Sequence, residues 1–203
     1  MNSRLPFFDA DSATRLENAR HPYPVVSLFS GAMGLDLGLN EAGLRVAVSQ
    51  DMDKWCIETM RRNSHLAIDG DIRDLIESDP SCEFFLQASG VTREALFAVV
   101  GGPPCQPFST AGKRKGVEDA RGQLYQEFIK VVSALRPRFF IMENVKGLAS
   151  MPCDPADKQS KPVLDTILES FKAIGYHTVH GILDAVHYGT PQFRERLVIV
   201  GSR

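Results

Sequence analysis

The 203-residue sequence predicts an α/β fold built around a mostly parallel sheet. From Val25 onward, short apolar runs alternate with turns and with segments of helical apolar period, the rhythm of strands joined by crossover helices. Three of these runs end in a turn or in an acid: the Gly31 turn, the Gly101-Gly102-Pro103-Pro104 run and Glu143. The carboxyl edge of an open α/β sheet is where ligands bind.

The elements follow in order. Residues 25–29 read as a buried first strand, 30–34 as the turn after it, and 35–42 as a short helix closed by Gly43. A second strand covers 45–49 with Asp51 just past its end, and a helix covers 53–63. A short strand near 65–68 precedes Gly70-Asp71-Ile72, and 74–92 is read with a helix around 84–88. Residues 96–100 form the strand that leads to Cys105. The basic, glycine-rich stretch Gly112-Lys113-Arg114-Lys115-Gly116 belongs to a loop over 110–122. Leu124, Phe128, Val131, Val132 and Leu135 fall on one helical face over 123–135. A strand at 138–142 ends at Glu143-Asn144-Val145, and a polar loop over 150–161 follows. The next helix has the face Val163, Ile167, Leu168, Phe171 and Ile174, with Gly175 closing it. Strands at 176–183 and 196–201 complete the pattern. Residues 1–24 are expected to be an N-terminal arm, and 25–203 a single domain.

Composition narrows the function. A formal net charge of −2 gives no global nucleic-acid signature, so any such binding rests on local basic patches. The cysteines at 56, 82, 105 and 153 have neither metal-ligand nor disulfide-framework spacing. They read as reduced thiols. No apolar stretch is long enough to span a membrane, and the first residues lack the basic-then-apolar order of a secretion signal. A cytoplasmic protein with no metal and no membrane partner is expected.

Cys105 is the most informative residue. It stands in Gly101-Gly102-Pro103-Pro104-Cys105-Gln106-Pro107-Phe108-Ser109, a run that cannot build a regular core element. Its thiol is therefore presented rather than packed. Cys56, Cys82 and Cys153 have no neighbour in sequence that would activate them, and His177 and His180 fall in a strand, where they are no metal pair. The Gly31 turn lets backbone approach a ligand, and Asp51 sits where such folds place an acid on ribose hydroxyls. Together they suggest a nucleoside-containing cofactor.

Several ordered motifs carry a resemblance. They are Leu28-Phe29-Ser30-Gly31-x-x-Gly34, Gly70-Asp71-Ile72, Gly102-Pro103-Pro104-Cys105-Gln106-Pro107-Phe108-Ser109, Glu143-Asn144-Val145, and Tyr188-Gly189-x-Pro191-Gln192-x-Arg194-Glu195-Arg196. With them the chain resembles the cytosine-5 DNA methyltransferases that use S-adenosylmethionine, over nearly all of 25–203. The resemblance implies a Rossmann-like, doubly wound sheet of the S-adenosylmethionine-dependent methyltransferase type, mostly parallel, with an antiparallel strand near the C-terminus.

It also implies roles. Cys105 adds to carbon 6 of cytosine, making carbon 5 nucleophilic. Glu143 shares a proton at ring nitrogen 3, Arg196 reaches the cytosine carbonyl oxygen, and Arg194 helps hold the catalytic loop. Phe29 lies against adenine, Asp51 on the ribose and Asp71 on the adenine amino group. Ser30, Gly31, Gly34, Leu35, Met52, Ile72 and Pro104 complete the cofactor site. The target cytosine must be flipped out of the duplex. Gln106, Ser109, Lys113, Arg114, Lys115 and Arg121 belong to the loop expected to contact DNA. Relatives of this family continue into a target-recognition domain and a returning segment, so a missing region or a complementing chain is expected to supply sequence choice, in a restriction-modification setting. Three alternatives stay open. One is a non-catalytic remnant or cofactor-binding module, and another is methylation of tRNA by the same chemistry. The third, a cysteine hydrolase pairing Cys105 with His187, leaves the Gly31 turn, Asp51 and Asp71 without a task.

Overall fold

The computed structural model describes residues 23–104, 124–154, 157 and 159–203. Its seven strands are β1 (Tyr23–Leu28), β2 (Leu44–Asp51), β3 (Ala67–Asp69), β4 (Ala98–Gly101), β5 (Phe139–Val145), β6 (His177–Asp184) and β7 (Glu195–Ser202). They form one sheet in the order β3-β2-β1-β4-β5-β7-β6. Every pairing is parallel except those of β7, which runs antiparallel to β5 and to β6. The expected antiparallel strand is thus β7, reached from β6 by a short connection that needs no crossover helix.

Six α-helices are described: α1 (Gly34–Glu41), α2 (Lys54–Arg62), α3 (Ile72–Ser78), α4 (Glu83–Ser89), α5 (Leu124–Leu135) and α6 (Val163–Ala173). The α5 stripe buries the five residues that its period selects. In α6 the buried residues are Leu164, Ile167 and Phe171, while Val163, Leu168 and Ile174 are only partly covered. Asp53 caps α2 by accepting from the amides of Trp55 and Cys56. Where one helix was expected in 74–92 the chain makes two. The first, α3, buries only Ile72 and Ile76, too few to show a period. No described helix is long and apolar enough to cross a membrane.

The two sides of the sheet differ. On one, Phe140 stacks on Phe171 with ring centroids 3.8 Å apart and meets Phe128 and Tyr176 edge-on. This aromatic layer fills the space against β7 so closely that a Cβ on Gly201 would lie 1.9 Å from Phe140 Cε1. On the other side, Val25, Val46, Ala98 and Val100 pack beneath Leu39 of α1. That face continues along the register from Val100 through Ile141 and Val200 to Val179. There, among the described residues, it opens, and Val179 is 70% exposed.

Gly201→Ala forces Phe140 out of its stack, and overpacking of this kind costs about 1–3 kcal/mol. Urea unfolding should show the midpoint lowered with the slope unchanged. A midpoint equal to that of the wild type would refute the close approach.

Candidate cofactor and catalytic site

The strand order reverses between β1 and β4, and the chain leaving each strand meets at their carboxyl ends, where Leu28 pairs with Gly101. This is the switch point at which open α/β sheets bind ligands. After β1 the backbone turns tightly. The Ser30 amide donates to Gln50 O at 3.1 Å, and the Gly31 amide to Asp51 Oδ2 at 2.8 Å. Phe29 has φ 54°, an uncommon conformation for a bulky residue. Such outliers persist where the surroundings enforce them, often at binding sites. Here its ring lines a cavity of about 240 Å³.

The cavity has apolar walls from Phe29, Ile72, Pro104 and Leu124, and polar groups from Gln50, Asp51 and Asp71, with Met52 and Gly102 at its border. Apolar walls with two carboxylates among them can take an apolar ring on the walls and hydrogen-bond donors on the acids. Asp51 is held in place by the Gly31 amide on one oxygen and the Asp53 amide, at 2.9 Å, on the other. Asp71 caps α3 and is gripped by the Arg73 guanidinium through both oxygens, with Nε to Oδ1 at 2.9 Å. That contact holds its carboxyl below the usual carboxylate range, so it remains an acceptor. Of the expected cofactor residues, Phe29, Asp51, Met52, Asp71, Ile72 and Pro104 line this cavity. Ser30, Gly31 and Gly34 belong to the turn and helix start beneath it, and Leu35, on α1, is 37% exposed.

On the far side of the Gly102–Pro104 segment stands Glu143, near the end of β5. Its Oε1 pairs with Arg196 Nε at 2.8 Å. A Cβ on Gly102 would lie 2.9 Å from its Oε2, so a side chain there would displace the Glu143 carboxylate. The next residue, Asn144, is buried and donates from Nδ2 to Pro103 O at 2.8 Å, fixing the segment that leads to residue 105. Lys146 Nζ reaches Glu195 Oε1 at 2.7 Å, joining the ends of β5 and β7 once more. β7 begins at Glu195, one residue before the start read from sequence, and Arg194 is an exposed residue before it whose amide donates to Asp184 Oδ1.

Cys105, Gln106, Ser109, Lys113, Arg114, Lys115 and Arg121 lie outside the described residues. Among the other cysteines, burial pushes the Cys82 thiol up to about 11 and raises that of Cys56 as well, the opposite of activation. His177 and His180 are exposed on β6, and no group of side chains suited to a metal occurs among the described residues. Sequence reading gave no role to Gln50 or Asn144, although Asn144 stood inside a motif. Gln50 is 1% exposed, donates to Gly70 O at 2.7 Å and holds the segment before Asp71 against β2. The only local signal was a polar residue beside Asp51 at the end of β2.

A family model described as C-5 cytosine-specific DNA methylase matches residues 23–203. The chain is 40% identical over 186 residues to the Type II methyltransferase M.AquIA of Picosynechococcus, covering 88% of this chain and 71% of that protein. To the Type II methyltransferase M.NgoFVII of Neisseria gonorrhoeae it is 35% identical, covering 94% of this chain and 46% of the relative. Among solved structures, a prophage-encoded E. coli protein described as a DNA modification methyltransferase matches with a TM-score of 0.69 and 28% identity, over 89% of this chain and 47% of that one. Spodoptera frugiperda DNMT2, at 20% identity and TM-score 0.65, shares the fold.

Gly102→Ala should push the Glu143 carboxylate off Arg196 while leaving the sheet intact. In nitrogen-15 NMR the Arg196 Nε–H signal is expected to lose its exchange protection. An unchanged signal would show that the segment does not pass against Glu143.

Proposed function

The chain belongs to the C-5 cytosine-specific DNA methylase family, and from that membership we propose that it is the catalytic part of an enzyme that methylates carbon 5 of cytosine in DNA, using S-adenosylmethionine. One juxtaposition carries this reading. The cavity of Phe29, Asp51 and Asp71 and the Glu143–Arg196 pair lie on opposite sides of the Gly102–Pro104 segment, and residue 105 follows it directly. A cofactor in the first and a base at the second would meet beside that residue.

When bound, S-adenosylmethionine supplies an activated methyl group on its sulfonium. Phe29, Asp51 and Asp71 bind and orient it by the nucleoside. The Cys105 thiolate adds to carbon 6 of a flipped-out cytosine. As the S–C6 bond forms, ring electrons move toward nitrogen 3, where the Glu143 carboxyl shares a proton, and carbon 5 becomes the nucleophile. Arg196, already bonded to Glu143, holds the carbonyl oxygen of the same ring, so the two side chains fix its orientation. After methyl transfer, loss of the carbon 5 proton breaks the S–C6 bond and restores the thiolate. The basic residues Lys113, Arg114, Lys115 and Arg121 serve phosphate contacts, and Arg194 supports the loop that carries Cys105.

We assign the choice of DNA sequence to a region beyond the matched one, on this chain or on a complementing chain. Supporting this, the chain covers only 46% of one curated relative and 47% of one solved structure. The apolar sheet face around Val179 also stands open among the described residues. Because its relatives are named Type II methyltransferases, we place the enzyme in a restriction-modification system.

Methyl transfer from labelled S-adenosylmethionine tests the reading, on DNA and on tRNA, with and without the complementing region. Wild type should label DNA alone. Cys105→Ser should abolish labelling while still binding cofactor, and Glu143→Gln should lower the rate on the order of 10²–10⁴-fold. Labelling by Cys105→Ser would overturn the covalent route, and labelling of tRNA alone would move the substrate to RNA.

A further inference from the structure

We propose that Asp36, on α1, is a positioning residue for the cofactor edge of the sheet, a buried carboxylate that ties the carboxyl ends of β1 and β2 together through Ser27 and Ser49. The inference rests on the cofactor reading above, but it concerns residues to which no motif assigns a role.

Asp36 is 0% exposed. Ser27 Oγ on β1 donates to its Oδ1 at 2.6 Å, and Ser49 Oγ on β2 donates to its Oδ2 at 2.6 Å. These lengths are those of hydroxyls bonded to a carboxylate. Each hydroxyl spends its one proton on Asp36, so each must accept from elsewhere. Ser30 Oγ, in the cofactor turn, donates to Ser27 Oγ at 2.9 Å, and His65 Nε2 lies 2.7 Å from Ser49 Oγ. With the Nε2–H tautomer of His65, every proton in the network has a direction and none is missing. Asp36 also lies in the first turn of α1, where the helix dipole favours a negative charge.

Placement gives the network its purpose. Among the described residues six polar or charged side chains are buried: Ser27, Ser30, Asp36, Ser49, Gln50 and Asn144. Four of them belong to this network, and Asp36 is the one that carries a charge. Burying a carboxylate and three hydroxyls is a poor way to stabilise a core, because apolar residues of similar volume commonly do as well or better. What the network does instead is set distance and angle. It joins β1, the turn after it, β2 and, through His65, the segment that leads into β3. Ser49 precedes Gln50 and Asp51, and Ser30 precedes Gly31, whose amide holds the Asp51 carboxylate. A shift of Asp36 therefore moves Asp51 and the Phe29 turn relative to each other, although Asp36 touches neither the cavity nor its contents.

Calorimetric binding of S-adenosylhomocysteine to the full chain tests this. In Asp36→Asn the amide nitrogen cannot accept, so one serine loses its acceptor, and affinity should fall about tenfold or more. Ser27→Ala and Ser49→Ala, which fold more readily should Asp36→Asn fail to, are expected to weaken binding severalfold. Because the residues act as one unit, the loss in Asp36→Asn/Ser49→Ala should be smaller than the product of the two single losses. Wild-type affinity in folded Asp36→Asn, or in both serine variants, would overturn the proposal, as would losses that simply multiply. Hydrogen exchange gives a reading independent of ligand. The Gly31 amide should exchange at least tenfold faster in Asp36→Asn, with the β5 and β7 amides unchanged. Unchanged exchange at Gly31 would refute the positioning role, whereas a wild-type chain that binds no cofactor analogue but shows this exchange effect would fault only the cofactor reading.

Discussion

The contact on which the rest of the site depends is the close passage of two backbones at the sheet's switch point. Leu28 at the end of β1 and Gly101 at the end of β4 pair so tightly that a Cβ on Gly101 would lie 2.5 Å from Leu28 O. Only glycine permits this. Because these strands are neighbours with no strand between them, the turn that carries Phe29 and the segment that leads to residue 105 leave the sheet side by side. The cavity wall at Phe29 and the segment that leads to residue 105 are thereby brought together by topology, before any side chain contributes. Gly102 extends the same logic by one residue, since its missing Cβ is what lets Glu143 stand against the segment.

The parts of this arrangement that could be read from sequence are those whose signal is local. The α5 stripe repeats with helical period, the Gly31 turn and the Gly-Gly-Pro-Pro run punctuate the chain, and Asp51 and Asp71 follow strands. What could not be read depends on partners far away in the chain. Asn144 matters because of Pro103, Gln50 because of Gly70, and Asp36 because of Ser27 and Ser49. A polar residue within an apolar segment looks like noise until its partner is located. The helix α3 was hidden for another reason: seven residues with two buried positions give no period to detect. Phe29 was assigned to the adenine side by resemblance, yet its positive φ has no counterpart in composition or spacing.

The Glu143–Arg196 pair illustrates how stability and function part company here. Both side chains are partly exposed, and ion pairs of that kind contribute little to folding. Their value is geometric. Arg196 is further fixed by its donation to Glu195 O, and Glu195 in turn is held by Lys146, so the carboxylate and guanidinium are set by two strands rather than by solvent. Under the function proposed above, groups preorganised in this way need not reorganise when a substrate ring replaces part of their mutual contact.

A gradient therefore runs outward from the sheet. Deepest is the hydroxyl and carboxylate network around Asp36, which is sealed from water and has no spare proton. Above it Asp51 and Asp71 line the cavity, held by backbone amides and by Arg73. Outermost are Glu143 and Arg196, paired with each other and partly exposed. Burial is thus greatest beneath the cavity lined by Phe29, Asp51 and Asp71, and least at the Glu143–Arg196 pair. If DNA choice resides in a separate region, as we infer, that order is the one required: recognition by another part of the enzyme can alter which base is delivered without disturbing the groups that act on it.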